Sequence, residues 1–158
     1  MNKIRMIALA ACMAATLDAS AQEQEIRLFS HRGGRMEHDE NTLSAFQASY
    51  DAGYDAGLRG FETDIRMTRD GALVITHDSS LERTTDGTGT VEEKTEAEIR
   101  QLATKQGNKM MFLDELLEFL KGKEGLYVEF EMKTHPAALY PEERLARYCD
   151  ELSRMVKA

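Results

Sequence analysis

At 158 residues, with 42% hydrophobic and 30% charged side chains, the chain has ordinary globular composition and a length suited to one domain. A net charge of −8 argues against a non-specific nucleic-acid binder, whose phosphate partner demands a basic surface. The lack of Trp and an aromatic content of only 7% argue against a surface that stacks on sugars or bases.

The N-terminus is a different material. Lys3 and Arg5 precede an almost wholly apolar run from Met6 to Leu17, and Ala19-Ser20-Ala21 then supplies small residues before Gln22. This order predicts a secretory signal peptide over residues 1–21, a mature chain of 22–158, and a periplasmic or secreted product. The apolar run is too short to serve as a bilayer anchor, so no transmembrane segment is expected after cleavage. A buried N-terminal helix is the bland alternative. A lesser reading takes Leu9-Ala10-Ala11-Cys12 as a lipoprotein processing site with Cys12 lipidated, although the apolar run before Cys12 is very short and continues past it. Cleavage removes Cys12 and leaves Cys149 alone, so no internal disulfide is expected.

Beyond the leader, strand and helix signals alternate. Ile26–Ser30 is a short β-prone run ending at His31-Arg32-Gly33-Gly34. Asn41–Ala52 has helical spacing, with Leu43, Phe46 and Tyr50 on one side and Asn41 as N-cap. Gly60–Met67 is a second strand. Ala72–Thr76 is a third short run, set off by the turn chemistry of Asp70-Gly71. Ser79–Thr90 is polar and reads as a loop. Thr95–Ala103 reads as a helix, with Thr95 and Glu98 forming a capping box. Leu113–Leu120 is an amphipathic helix capped near Asp114, and Leu126–Lys133 is a strand. Pro141–Val156 is a final helix with Pro141 in its first turn. The alternation predicts an α/β fold with a parallel sheet. Tyr50-Asp51-Ala52-Gly53 recurs at once as Tyr54-Asp55-Ala56-Gly57, a local duplication too short to be a solenoid repeat. Its extra residues are expected to be absorbed before Gly60, as a helical turn or a bulged loop.

Three polar clusters fall at strand ends: His31-Arg32, Glu62-Thr63-Asp64 and Glu131-Met132-Lys133. Residues two apart on a strand share a face, so Glu62 joins Asp64 and Glu131 joins Lys133. Inward carboxylates are costly unless something compensates them. Three around one point suit a hard divalent cation with oxygen ligands, Ca2+ or Mg2+. Zinc fits less well, because no His pair stands at ligand spacing and no Cys cluster is present. Taken singly, a Glu-x-Asp pair is usually a solvated strand face, and Glu131-x-Lys133 a surface ion pair. Their co-occurrence at successive strand ends raises the functional reading above these.

His31-Arg32-Gly33 with Glu40-Asn41-Thr42 and Ala45-Phe46 resembles the opening of the glycerophosphodiester phosphodiesterase family. Glu62-Thr63-Asp64-Ile65, Thr68, Asp70-Gly71, Val74 and His77-Asp78 resemble its second block. Leu81, Arg83-Thr84-Thr85 and Gly87-Thr88-Gly89 resemble its third, and Phe130-Glu131-Met132-Lys133 its next catalytic strand. The likeness runs over residues 26–133, with Asp39 standing where the family usually has Pro. It implies a (β/α)8 barrel with a small insertion after the second barrel strand, here about Gly71–Gly107. It further implies hydrolysis of small-molecule glycerophosphodiesters to glycerol 3-phosphate and an alcohol. By matching position, Glu62, Asp64 and Glu131 are the implied metal ligands, His31 and His77 the acid–base pair, and Arg32 and Lys133 the phosphate contacts. His38 and His135 are left as loop residues without a role.

Only about the first three β/α units of such a barrel are present, against roughly 250 residues for a full one. A bare sheet edge is expected to favour self-association. Two other readings remain: a non-catalytic remnant or binding protein, and a related barrel phosphodiesterase acting on lipid head groups. The insertion with Arg83-Thr84-Thr85 disfavours the lipid reading.

Overall fold

The structure, a computed structural model, describes residues 27–158. The expected signal peptide, and with it Cys12, lies outside the described residues. Among those described, no helix is long and apolar enough to cross a membrane.

Four strands form one sheet: β1 (Leu28–His31), β2 (Leu58–Met67), β3 (Leu73–Ile75) and β4 (Tyr127–Met132). Four α-helices accompany them: α1 (Leu43–Gly53), α2 (Glu96–Ile99), α3 (Leu113–Leu120) and α4 (Glu142–Val156), with short 3-10 turns at Val91–Glu93 and Ala137–Leu139. The long β2 is the spine. It pairs in parallel with β1 on one side, from Leu58 to Glu62, and with β4 on the other, from Gly60 to Ile65, and Ile65–Met67 pair antiparallel with β3. The sheet expected to be parallel is therefore mixed, because the Thr68–Ala72 turn folds the chain straight back along β2. That turn is closed by Thr68 N–H donating to the Ala72 carbonyl at 2.9 Å.

One face of β2 packs under the helices. Phe61, Ile65 and Met67 are buried with Phe46, Leu113, Leu116 and Tyr148 in the main apolar cluster. Each large side chain so buried contributes about 1.5–3 kcal/mol. The opposite face carries Glu62, Asp64 and Arg66. Alternation breaks once: the register skips Arg59, since Leu28 pairs with Leu58 but Phe29 pairs with Gly60. The bulge lets Leu58 join the helix-side core, while Gly60 opens the other face, on which the Phe29 and Tyr127 rings meet edge-on at 5.6 Å. A Cβ on Gly60 would strike the Phe29 ring and the Tyr127 carbonyl, so only glycine lets the strands close there. Leu28, Phe29 and Tyr127 are exposed, and among the described residues β1 and β4 each pair with β2 alone.

Several boundaries differ from the sequence reading. The cap of α1 is Thr42, whose hydroxyl accepts from Ala45 N–H at 3.3 Å, whereas Asn41 sits before it at φ +58°. The Thr95 capping box is present, with Thr95 N–H donating to Glu98 at 2.8 Å, yet α2 ends at Ile99 instead of running to Ala103. Ala103 is drawn off to bridge Lys109 and to donate to Asp86. The cap of α3 is Phe112, not Asp114: Phe112 N–H donates to the Glu115 carboxylate at 2.8 Å. Pro141 is the N-cap of α4 and not its first turn. The repeated Tyr54–Gly57 forms a turn after α1, ending on Gly57 at φ +98°, and β2 starts beyond it. The inserted segment builds its own apolar cluster from Val74, Leu81, Val91 and Ile99, joined by Met110 and Phe112 just beyond it.

Candidate active site

His31 ends β1, and Arg32 follows it in a left-handed conformation, φ +55°. That turn aims Arg32 back at β2, where Nε meets Asp64 Oδ2 at 2.9 Å and Nη1 meets Glu40 Oε1 at 3.3 Å. Asp64 is fully buried. Its Oδ2 also accepts from Asn41 Nδ2 at 3.0 Å, and Thr63 Oγ1 donates to Asn41 Oδ1 at 3.2 Å. The residue expected to cap a helix instead fixes a carboxylate. Just past β4, Lys133 Nζ reaches Asp64 Oδ1 at 3.1 Å and Glu131 Oε1 at 2.5 Å. His31 Nε2 lies 3.3 Å from Glu62 Oε2.

Glu62, Asp64 and Glu131 each offer an oxygen within 4.8 Å of the others. The parallel register makes this possible, because Asp64 pairs with Glu131 across the strands. Burial, then the Asp64 charge, pushes the Glu62 carboxyl from 4.5 up to about 7. Two of the oxygens, Glu62 Oε2 and Asp64 Oδ1, are buried without a hydrogen bond, although the His31 ring and the Lys133 ammonium stand close to them. Such atoms are costly unless a ligand serves them. All-oxygen donors, excess negative charge and unserved lone pairs fit a hard divalent cation. Burial works against the Lys133 ammonium, but the facing Glu131 and Asp64 carboxylates outweigh that and raise its pKa. Burial, then Arg32 and Arg35, holds His31 below its ordinary value, which keeps it neutral near pH 7.

His77 lies just beyond the end of β3. Its Nδ1 lies 2.6 Å from Asp78 Oδ1, and it shares a cavity of about 570 Å3 with Glu131, Lys133, Arg66 and His135. Thus His135, read from sequence as having no role, lines the same space. Arg83 of the insertion ties this side to the first loop. It pairs with Asp78 and holds Glu40 through Nη2 and Nη1 at 2.7 and 3.2 Å. The Arg83 hydrogen bond outweighs burial and lowers the Glu40 pKa.

A deeper network lies beneath. Arg66 Nε donates to the His77 carbonyl at 2.9 Å, and Nη1 donates to Glu92 Oε1 at 2.7 Å and to the His135 carbonyl at 3.0 Å. Glu92 also accepts from Ser79 and Tyr140, both at 2.6 Å. The side chains of Glu40, Asn41, Asp78 and Arg83 stand in the motifs singled out from sequence. Arg66, Glu92 and Tyr140 carried no signal there.

Comparison with known proteins accords with this geometry. A model of the glycerophosphoryl diester phosphodiesterase family matches residues 31–157. A glycerophosphodiester phosphodiesterase of Caldanaerobacter subterraneus is 35% identical over 133 residues, covering 78% of this chain and 52% of the relative. Human glycerophosphodiester phosphodiesterase 1 is 34% identical over 118 residues, covering 70% of this chain and 34% of its own length. An Oleispira antarctica phosphodiesterase, solved with the product sn-glycerol-3-phosphate, superposes with a TM-score of 0.67 at 28% identity, covering 82% of this chain and 53% of the other. A glycerophosphodiester phosphodiesterase from Agrobacterium tumefaciens gives 0.61 at 29%, covering 80% and 63%. The chain spans about half the length of the first relatives it matches.

Proposed function

Since this chain belongs to the glycerophosphoryl diester phosphodiesterase family, we propose that it carries the catalytic cluster for metal-dependent hydrolysis of glycerophosphodiesters to glycerol 3-phosphate and an alcohol. The observation that carries the reading is the meeting of Glu62, Asp64 and Glu131 beside His31, Arg32 and Lys133. In this reading the three carboxylates hold one Ca2+ or Mg2+. Such an ion, when bound, neutralises phosphoryl charge and steadies the developing oxyanion.

The chain's own groups supply the rest. Arg32 and Lys133 offer donors to the non-bridging phosphate oxygens, with the Arg32 fork suited to gripping two at once. His31, neutral near pH 7, accepts the proton of the attacking hydroxyl, which we take to be the substrate's own glycerol hydroxyl. Asp78 engages His77 through Nδ1, which leaves Nε2 to protonate the departing alkoxide. Water then opens the cyclic phosphate with the two roles exchanged. The substrate is a small molecule. Export through cleavage after Ala21 completes the reading, and mass spectrometry of the native N-terminus checks it: Gln22 supports export, an intact Met1 overturns it, and a lipid on Cys12 replaces it with membrane tethering.

Calorimetric titration of Ca2+ and Mg2+ into the chain, alongside Glu62→Gln, tests the metal directly. Binding lost in the variant supports the assignment. Hydrolysis of glycerophosphocholine undiminished by excess chelator would sink it.

A further inference from the structure

β3 ends at Ile75, and just past it Thr76 N–H donates to the Asp64 carbonyl at 3.0 Å. The chain then leaves the sheet as His77-Asp78-Ser79, where two neighbours meet side chain to side chain. His77 Nδ1 lies 2.6 Å from Asp78 Oδ1, and Arg83 pairs with the other Asp78 oxygen. An ionised carboxylate can only accept, so this contact puts the proton on Nδ1 and leaves Nε2 for a reactant.

Side chains of adjacent residues ordinarily diverge, in strands and in helices alike. Their meeting here depends on how the peptide between them is turned. The carbonyl of that peptide belongs to His77, and the buried Arg66 donates to it from Nε at 2.9 Å. Arg66 Nη1 pairs with the buried Glu92 at 2.7 Å, and Glu92 Oε2 accepts from Ser79 Oγ at 2.6 Å. One buried ion pair thus grips both ends of the tripeptide, Arg66 at the His77 carbonyl and Glu92 at the Ser79 hydroxyl. Val91 N–H, next to Glu92 in the chain, donates to the Ser79 carbonyl at 2.9 Å. Arg66 Nη1 also holds the His135 carbonyl at 3.0 Å, so the loop after β4, which lines the same cavity as His77, is fixed to the same guanidinium.

We infer that Arg66 and Glu92 are positioning residues for the His77–Asp78 pair. They lock the peptide between the two, so that Asp78 holds the neutral ring with its proton on Nδ1. Desolvation offsets much of the attraction in a buried ion pair, and geometry is the larger part of what this one supplies. The part Nε2 then plays, protonating the departing alkoxide, rests on the phosphodiesterase reading of the site, whereas the lock does not.

Long-range 1H–15N NMR of the labelled, metal-free chain reads the tautomer of the neutral His77 ring, whose signals are identified by their loss in His77→Gln. The wild type should favour Nδ1–H by about tenfold or more, the effect of one charge-assisted hydrogen bond. Arg66→Met with Glu92→Leu removes the pair without stranding a charge, and there the preference should fall to near parity. If that double variant does not fold, Ser79→Ala is read in its place; it frees the far end of the tripeptide from Glu92 and should lower the preference severalfold. Tyr140→Phe takes one donor from Glu92 but leaves the bonds to His77 and Ser79 in place, and should keep the wild-type value. A folded variant that keeps the preference after the pair is removed overturns the inference. So does a wild type without the preference, or a Tyr140→Phe chain that loses it as fully as the double variant, since the effect is then a general loosening. No turnover enters this readout, so a chain that hydrolyses no phosphodiester counts against the proposed function and leaves the lock standing.

Discussion

Replacing Glu62 by Gln should make the metal-free chain more stable above neutral pH while abolishing its affinity for Ca2+ or Mg2+. The Glu62 carboxyl, at 4.5 in an open chain, is pushed up to about 7 in the fold, burial being the first cause and Asp64 the second. A carboxyl raised in the folded state contributes fully below its unfolded value. That contribution is lost as pH rises through the folded one. Between pH 4.5 and about 7 the wild type therefore loses up to about 3.4 kcal/mol, at 1.36 kcal/mol per pKa unit. The Glu62 side chain keeps 18% of its exposure and Glu131 beside it 52%, so solvent screening reduces this to about 1–2 kcal/mol. Glutamine forfeits little in exchange, because Glu62 Oε2 makes no hydrogen bond. Urea unfolding in chelator at pH 4.5 and pH 8 reads the effect. The two proteins should be close at pH 4.5, and the variant should lead at pH 8. Excess Ca2+ should then restore the wild type's lead by mass action on the folded state. A variant equal to or weaker than wild type at pH 8, or a gap that ignores pH, would refute the reasoning.

His31→Ala should leave folding nearly intact, since the ring is half exposed, yet lower any glycerophosphocholine turnover of the metal-loaded chain by about 100-fold or more; wild-type turnover would remove His31 from the chemistry. Arg66→Met strands the buried Glu92 and should cost about 3–5 kcal/mol by thermal unfolding, whereas Arg66→Met with Glu92→Leu should recover part of that loss. The exposed Leu28, Phe29 and Tyr127 beside singly paired strands should make the chain self-associate and leave it marginally stable and nearly inactive by itself. Sedimentation velocity and a hydrolysis assay decide that point, and a cooperative, fully active monomer is the contrary result.

The carboxylate cluster was legible because it follows from two local facts: period-two alternation within a strand, and strand ends lying side by side. Leu113–Leu120 was legible through its own amphipathic pattern, and the structure keeps those bounds. Asn41 was misread because Asn and Thr42 both suit an N-cap. Only the fold reveals that Asp64, 23 residues on, claims the amide. The early end of α2 is of the same kind, since Ala103 answers to Asp86 and Lys109 and not to its own helix. Glu92 lay beyond reach. Its partners stand 13, 26 and 48 residues away, and no spacing rule links a polar loop to a strand arginine and a distant tyrosine.

Gly60 touches no proposed reactant, yet it acts as the gauge of the proposed metal-ligand set. Two of the proposed ligands ride on β2 and the third on β4, and the two strands begin their pairing where Gly60 faces Tyr127. Any side chain there is a wedge between the Phe29 ring and the Tyr127 backbone, driven in one step below Glu62 on the same face. The strands would part at the root, and the gap would be carried up to Asp64 and Glu131. A methyl group in place of one hydrogen at that point should thus weaken ion affinity at a distance, with every proposed ligand still in the sequence.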